Sequence, residues 1–135
     1  FNYLRKNFPL LKINEGIENV FSLLEKGKLA IFLYYSTGVV ESLSLNIPTT
    51  FYCPKELVYI DPEERKYLDL LNKCKIVSYE EDEFKNNIEF ILKDVKKWWS
   101  MKDVIQAKEE FLKRYSRIEN DNPVLKISKL LKSLY

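Results

Sequence analysis

A short polar cluster, Ser36, Thr37 and Gly38, is followed by a carboxylate, Glu41, four positions after Thr37. If a helix begins at Ser36 or Thr37, then Thr37 and Glu41 share one helix face. Free backbone N–H groups and the helix dipole at such a start favour a phosphate. Gly38 would permit close backbone approach, and the two hydroxyls add donors. A carboxylate one turn later can accept hydrogen bonds from a ribose diol. The cluster therefore predicts a nucleotide site.

Glu41 is the only charged residue among the 25 residues at positions 30–54. At the 31% charged content of the whole chain, such a segment would hold about eight. We therefore expect residues 30–54 to form the buried centre of the domain. Burial of an unpaired carboxylate costs several kcal/mol. Glu41 is thus expected either to reach a cleft or to have hydrogen-bonding partners.

A simpler interpretation of the same residues stays open. Ser and Thr at helix starts are commonly N-caps, and an early Glu commonly compensates the helix dipole. The sequence contains neither a GxGxxG nor a Walker A motif, the two best-defined nucleotide fingerprints. From the pattern alone, the polar cluster and Glu41 can have either a structural role or a ligand-binding role.

The polar cluster lies inside a predicted βαβ unit. Residues 29–35 are an uncharged apolar run, which is typical of a strand buried on both faces. A helix over 36–46 and a second strand over 48–52 follow. Because open α/β sheets bind ligands at the carboxyl ends of their strands, the turn at 36–38 lies where a site is expected.

The remaining pattern predicts an α/β domain with a mostly parallel sheet and a helical C-terminal tail. Before the βαβ unit we expect a loop and a short extended piece over 1–13, then a helix over 15–26 capped by Asn14. After it we expect a helix over 62–73 started by Asp61 and Pro62, a strand over 75–79, and helices over 80–99, 100–117 and 118–135.

Two adjacent tryptophans, Trp98 and Trp99, lie near the end of the long predicted helix. Neighbouring positions on a helix point about 100° apart. We therefore expect one indole to pack inward, and the other to contact the next helix or another part of the protein.

Composition excludes several classes of function. The 135 residues suffice for one domain. A net charge of +2 gives no general reason to bind nucleic acid. The chain has no His, so it cannot by itself form a Ser–His, Cys–His or His–metal site. Its two cysteines, Cys53 and Cys74, form no CxxC motif. We expect both to be buried thiols in a reducing cytosol.

The segment 35–49 resembles the donor-site helix of GT-B glycosyltransferases, whose C-terminal Rossmann-like half binds the nucleotide sugar. It is more closely similar to a family of bacterial transferases encoded with surface-polysaccharide genes. The residues that carry this similarity are Thr37, Glu41, Leu43, Asn46, Pro48 and Thr49. A second similar segment contains Trp98, Trp99, Val104, Gln106, Ala107 and Phe111. The resemblance covers residues 1–117.

This resemblance implies the Rossmann-like half of a GT-B fold over 1–117, and a helix over 118–135 that packs on it or on an N-terminal half. It implies a glycosyltransferase with a nucleotide-diphosphate sugar as donor substrate and no tightly bound cofactor or metal. Ser36, Thr37 and Gly38 would lie beside the diphosphate, and Glu41 would contact the ribose. The chain does not begin with Met, so we expect an N-terminal half of the same chain to supply the catalytic base.

The implied acceptor is a surface glycan or a lipid-linked molecule, with the enzyme in the cytoplasm or at the inner face of the membrane. Basic residues at 126–132 form either the solvent-facing side of the last helix or a peripheral membrane contact. Nucleic acid is not an expected partner. A second class of function also stays open, a non-catalytic α/β interaction module that docks a partner through its C-terminal helices. A receiver-like regulatory domain is disfavoured, because the strand ends lack an acidic cluster.

Overall fold

Three parallel strands form the centre of the domain in a computed structural model that describes residues 2–14, 16–56 and 60–116. They are β1 (Ala30–Phe32), β2 (Thr49–Tyr52) and β3 (Val77–Ser78), arranged in the order β1-β2-β3. Ala30 pairs with Thr49, and Phe51 pairs with Val77. The predicted α/β class with a parallel sheet is confirmed.

Helices connect and surround these strands. The helices of the described residues are α1 (Asn2–Asn7), α2 (Val20–Lys26), α3 (Thr37–Ser44), α4 (Pro62–Lys73), α5 (Glu81–Lys93), α6 (Val95–Trp99) and α7 (Lys102–Tyr115). The start of α4 is as predicted, because the Asp61 carboxylate accepts a hydrogen bond from the Glu63 N–H at 2.8 Å and Pro62 occupies the first helical position. The predicted helix over 118–135, including the basic residues at 126–132, lies outside the described residues.

The two crossovers, β1-α3-β2 and β2-α4-β3, run in the same direction across the sheet. Since parallel crossovers are right-handed, α3 and α4 lie on the same face. Helix α7 packs against both of them. Successive strand residues point to opposite faces. Phe51 stacks on Tyr35 with ring centres 5.7 Å apart, whereas Tyr52 stacks on Phe84 of α5 at 5.5 Å. Helix α5 therefore covers the opposite face.

Helix α6 lies at the amino ends of the strands. The Trp98 indole N–H donates to the carbonyl of Cys74, the residue after α4, at 2.9 Å. The Trp99 indole N–H donates to the backbone carbonyl of Asn46, beyond the end of α3, at 3.2 Å. Both indoles are buried. The expectation that only one would pack inward is wrong, but Trp99 does contact the next helix, as expected, because Lys108 of α7 lies 4.9 Å from its ring centre.

Two predicted helices begin or end elsewhere. The helix expected over 80–99 breaks at Asp94, whose carboxylate accepts from the Lys97 N–H at 3.0 Å and so caps α6. The helix expected over 15–26 begins only at Val20. The Asn14 side-chain oxygen instead accepts from backbone N–H groups of the following turn, including that of Ile17 at 3.1 Å. At the start of the chain, α1 occupies part of the expected loop, whereas residues 8–14 form neither helix nor strand.

Strand β1 differs most from its prediction. It is shorter than the apolar run, and it lies at the edge of the described sheet. Ile31 is 46% exposed, and Leu33 and Tyr34 beyond the strand are 68% and 66% exposed. The expectation of burial on both faces is therefore wrong for this strand. Helix α5 packs on β2 and β3 and leaves the outer face of β1 open.

The indole hydrogen bonds of α6 give a test of the fold. Replacement of Trp98 by Phe leaves the Cys74 carbonyl without its buried donor and should lower the free energy of unfolding by about 1–3 kcal/mol beyond the effect of ring size. Trp99→Phe is the matched control, because it also removes an indole N–H. The acceptor of that N–H is on exposed Asn46, where water can donate a hydrogen bond instead. Urea unfolding measures both. Equal losses in the two variants would contradict the assignment.

Candidate functional site at the carboxyl edge of the sheet

The start of α3 lies directly after β1, at the carboxyl edge of the sheet. Ser36 occupies the N-cap position in an extended conformation, with φ −146° and ψ 168°, but its side chain makes no capping hydrogen bond. Its carbonyl accepts from the Val39 N–H at 3.0 Å. The first N–H groups of a helix have no partner within the helix. Because Ser36 makes no side-chain cap and the Val39 N–H already has a partner, the N–H groups left to solvent or a ligand among the described residues are those of Thr37 and Gly38.

The charge at this helix start is unlike that at the starts of α4 and α5. Helix α4 begins with Asp61 as its cap and two glutamates in its first turn. Helix α5 has three acidic residues in its first turn, as the sequence predicts. The first turn of α3 contains none. The partial positive charge at the start of α3 is therefore uncompensated by its own first turn.

Thr37 and Glu41 lie on one exposed face of α3, in the spacing that the sequence predicts. Within the part of the chain that the structure describes, the hydroxyls of Ser36 and Thr37 and the carboxylate of Glu41 have no hydrogen-bond or ion-pair partner. The opposite face of the helix, with Val39 and Leu43, is buried. Glu41 therefore needs no partner to offset burial, and the expectation that residues 30–54 are buried throughout is wrong on this face.

The absence of a side chain at Gly38 also has a structural role. A Cβ atom at this position would lie 3.1 Å from Cε1 of Phe32, the last residue of β1. The glycine therefore lets the start of α3 pack closely over the end of the strand. The sequence predicts that the same absence of a side chain lets the backbone approach a phosphate, and both uses are compatible.

A pocket of about 480 Å³ opens beside this turn. It lies between the segment that joins β1 to α3, the loop that follows β2, the start of α4 and the end of α7. Its lining consists of Tyr35, Ile60, Asp61, Glu64, Leu68, Arg114 and Tyr115. The structure brings Ser36, Thr37, Gly38 and Glu41 together on α3, but it places none of them in this lining.

Glu64 is the centre of the polar wall of the pocket. Arg114 at the end of α7 donates to one of its oxygens at 2.7 Å, and the Tyr115 hydroxyl donates to the other. Tyr115 in turn stacks on buried Phe111 with ring centres 4.4 Å apart. These contacts join the start of α4 to the end of α7 and hold the tyrosine ring against the pocket.

The ionisable groups behind the pocket are held in their neutral forms. Burial raises the pKa of the Tyr35 phenol, and the nearby Cys53 and Glu64 raise it further. Burial also raises the pKa of the Cys53 thiol, against the opposing effect of Arg65. At neutral pH Tyr35 therefore remains a hydrogen-bond donor and Cys53 a thiol. The prediction that Cys53 and Cys74 are buried thiols is confirmed.

Sequence reasoning missed the pocket because its wall joins positions 50 or more apart in the chain. Glu64 has the pattern of an acidic residue in the first turn of a helix, and Arg114 that of a basic residue in the last turn. Each is explained locally by the helix dipole. Only the antiparallel packing of α7 on α4 brings the two together.

Two further findings concern the described residues alone. They contain no group of three or more Cys, Asp or Glu side chains placed to hold a metal ion. None of their helices is both long enough and apolar enough to cross a membrane.

The polar wall of the pocket can be tested by comparing two glutamates of one helix turn. Glu64→Gln and Glu63→Gln remove the same charge from the first turn of α4, but only Glu64 contacts Arg114 and Tyr115. We expect Glu64→Gln to cost about 1 kcal/mol more of unfolding free energy than Glu63→Gln. Urea unfolding at low salt measures the difference. Indistinguishable variants would show that these contacts contribute nothing.

Comparison of the chain with known protein families matches it to a family of transferases. A family model described as LIC12162 family transferase matches residues 1–131. No curated protein and no solved structure gives a significant match. Because the family match spans nearly the whole chain, the chain belongs to this family of transferases.

Proposed function

We propose that this member of the LIC12162 family of transferases binds a nucleotide-activated sugar at the start of α3, and that its α/β domain is the donor-binding half of a GT-B-type glycosyltransferase. The observation that carries the proposal is the start of α3 itself. It has no side-chain cap and no acidic residue in its first turn. One turn later follows Glu41, whose carboxylate has no partner among the residues that the structure describes. The transferase family supports an enzyme over a non-catalytic interaction module.

The proposed chemistry is electrostatic. Transfer of a sugar from a nucleotide diphosphate leaves negative charge on the diphosphate. The backbone N–H groups at the start of α3 are oriented donors for such charge, and the helix dipole adds to them. Because the helix fixes these N–H groups before the reaction, they need not reorganise as the charge develops, and the hydroxyls of Ser36 and Thr37 can turn to donate beside them.

Glu41 has a positioning role in this proposal. Its exposed carboxylate accepts hydrogen bonds from the two ribose hydroxyls, while the phosphates contact the helix start one turn away. The rest of the nucleotide sugar would lie in the pocket beside Tyr35, where the rings of Tyr35 and Tyr115 form flat walls. Its volume of about 480 Å³ is in the range of small-molecule sites.

The remaining parts of the reaction belong to regions beyond the described domain. We propose that the catalytic base comes from an N-terminal half of the same chain, and that the acceptor is a surface glycan or a lipid-linked molecule. The reaction would then take place in the cytoplasm or at the inner face of the membrane. The basic residues at 126–132 are the proposed contact with that surface.

Thermal unfolding of the chain with UDP, GDP, CDP, ADP and CMP tests the proposed donor site. A ligand at about 100 times its Kd should add about 2.7 kcal/mol to the unfolding free energy. We expect one diphosphate to stabilise the chain more than CMP does. Glu41→Gln should weaken binding of that diphosphate by roughly tenfold or more, because hydrogen bonds to a charged group are lost.

Glu89→Gln is the control for this experiment. Glu89 is also an exposed helical glutamate, but it lies on α5, away from the start of α3. Without ligand, both variants should unfold within about 0.5 kcal/mol of the parent chain, as expected for exposed positions. A diphosphate that binds equally well to the parent and to Glu41→Gln contradicts the role of Glu41. Absence of a response to every nucleotide contradicts the donor site.

A further inference from the structure

A second pocket, of about 420 Å³, lies at the opposite edge of the sheet. It is bounded by the residues between α3 and β2, by α6 and by the first turns of α7. Its lining consists of Asn46, Pro48, Lys96, Trp99, Ser100, Ile105 and Lys108. Two of these residues are cationic and none is acidic. The length of α3, about 12 Å, separates this edge from the helix start discussed above.

The Lys108 ammonium is held inside this pocket by neutral groups. It donates to the side-chain oxygen of Asn46 and lies 4.9 Å from the centre of the Trp99 ring. Burial lowers the pKa of this amine, and neighbouring Glu109 acts in the opposite direction. Among the ion pairs of the described residues none involves Lys108. A partly desolvated positive charge therefore faces the pocket without a carboxylate partner.

Asn46 supplies neutral donors beside that charge. Its backbone is in the left-handed region, with φ 57°. Its side-chain oxygen accepts from the Trp99 indole N–H at 3.1 Å as well as from Lys108. These two donors identify which end of the amide is the oxygen. The amide N–H groups are left without a partner in the described part of the chain.

Lys96 provides the second cation. It lies on α6, four positions before Ser100, and its side chain is exposed and makes no ion pair within the described residues. The pocket therefore combines two ammonium groups and an amide donor, with an aromatic ring as one wall. Its complement is a compact anion with several acceptor oxygens, since such a group can accept from all three donors at once.

We propose that this pocket binds a phosphate group, held between Lys96, Lys108 and the amide of Asn46. The recessed position of Lys108 fits a small phosphate monoester that can enter the pocket. A lipid headgroup carries the same chemistry. The site is independent of the proposed donor site, because it lies at the other edge of the sheet and shares no residue with it.

The two tryptophans provide a direct readout of phosphate binding. The chain has two indole N–H groups, so two indole resonances are expected in a ¹H–¹⁵N spectrum. Trp99 donates to Asn46 inside the pocket, whereas Trp98 donates to the buried carbonyl of Cys74. Titration with inorganic phosphate and with glycerol phosphate, at constant ionic strength set by chloride, should shift the Trp99 resonance saturably and by more than that of Trp98, whose ring centre lies 5.2 Å from that of the Trp99 ring. The Trp98→Phe variant assigns the two signals.

Three lysine variants separate a site from a general charge effect. Lys108→Met and Lys96→Met should each weaken glycerol phosphate binding by roughly tenfold, the loss expected for a charge-assisted hydrogen bond. Lys97→Met, on the same short helix but outside the pocket lining, should change it less than about twofold under these screened conditions. If half-buried Lys108 is needed for folding, exposed Lys96 still tests the proposal.

Vesicles of phosphatidylcholine with and without phosphatidic acid identify the source of the phosphate. Binding of glycerol phosphate without vesicle binding supports a soluble ligand. Vesicle binding that is lost in Lys96→Met and kept in Lys97→Met supports a lipid phosphate in the same pocket. Equal weakening by all three lysine variants, or phosphate titrations that leave the Trp99 resonance unmoved, would overturn the site.

Discussion

The two buried indoles of α6 connect this short helix to the ends of both crossover helices. Trp98 reaches the carbonyl that follows α4, and Trp99 reaches the carbonyl beyond α3. The ends of the two crossover helices are thereby tied to one short helix at the amino edge of the sheet. Helix α7 begins directly after α6 and packs across α3 and α4. The pocket at the carboxyl edge depends on this packing, because the end of α7 places Arg114 and Tyr115 beside the start of α4.

Local signals in the sequence predicted the βαβ unit and the cap that begins α4. Asp61 and Pro62 act within one turn, and the uncharged run before Ser36 identifies a strand without reference to any distant contact. The exposure of Ile31 was not predictable in this way, since it depends on which strands α5 covers. Asp94 has the chemistry of a helix cap, but its position within a continuous amphipathic pattern concealed the break between α5 and α6.

The arrangement of the candidate residues on one helix face was predictable, but their surroundings were not. Thr37 and Glu41 share a face because helical spacing requires it. Their exposure follows from the burial of Val39 and Leu43 on the other side. The polar wall of the neighbouring pocket depends instead on Glu64 meeting Arg114, a contact between helices that are far apart in sequence. Composition and periodicity contain no signal for such a contact.

The two ends of α3 differ in the charge around them. Its start carries uncompensated partial positive charge, as expected of an anion site. Its end has the opposite partial charge, which favours a cation there and helps to explain how half-buried Lys108 is tolerated beside Asn46. The first of these ends is the proposed donor site, and the lysines around the second end form the separate proposed phosphate site.

The measurement that most directly tests the central claim is a ¹H–¹⁵N titration of the chain with UDP, GDP, CDP and ADP in turn, followed at the backbone amides that begin α3. The proposed phosphate contact predicts that at least one nucleotide shifts the Thr37 and Gly38 amides saturably. The amides of Glu81 and Asp82, at the acidic start of α5, should remain in place. Saturable shifts elsewhere with unmoved Thr37 and Gly38 amides, or no shift with any nucleotide, would contradict the account.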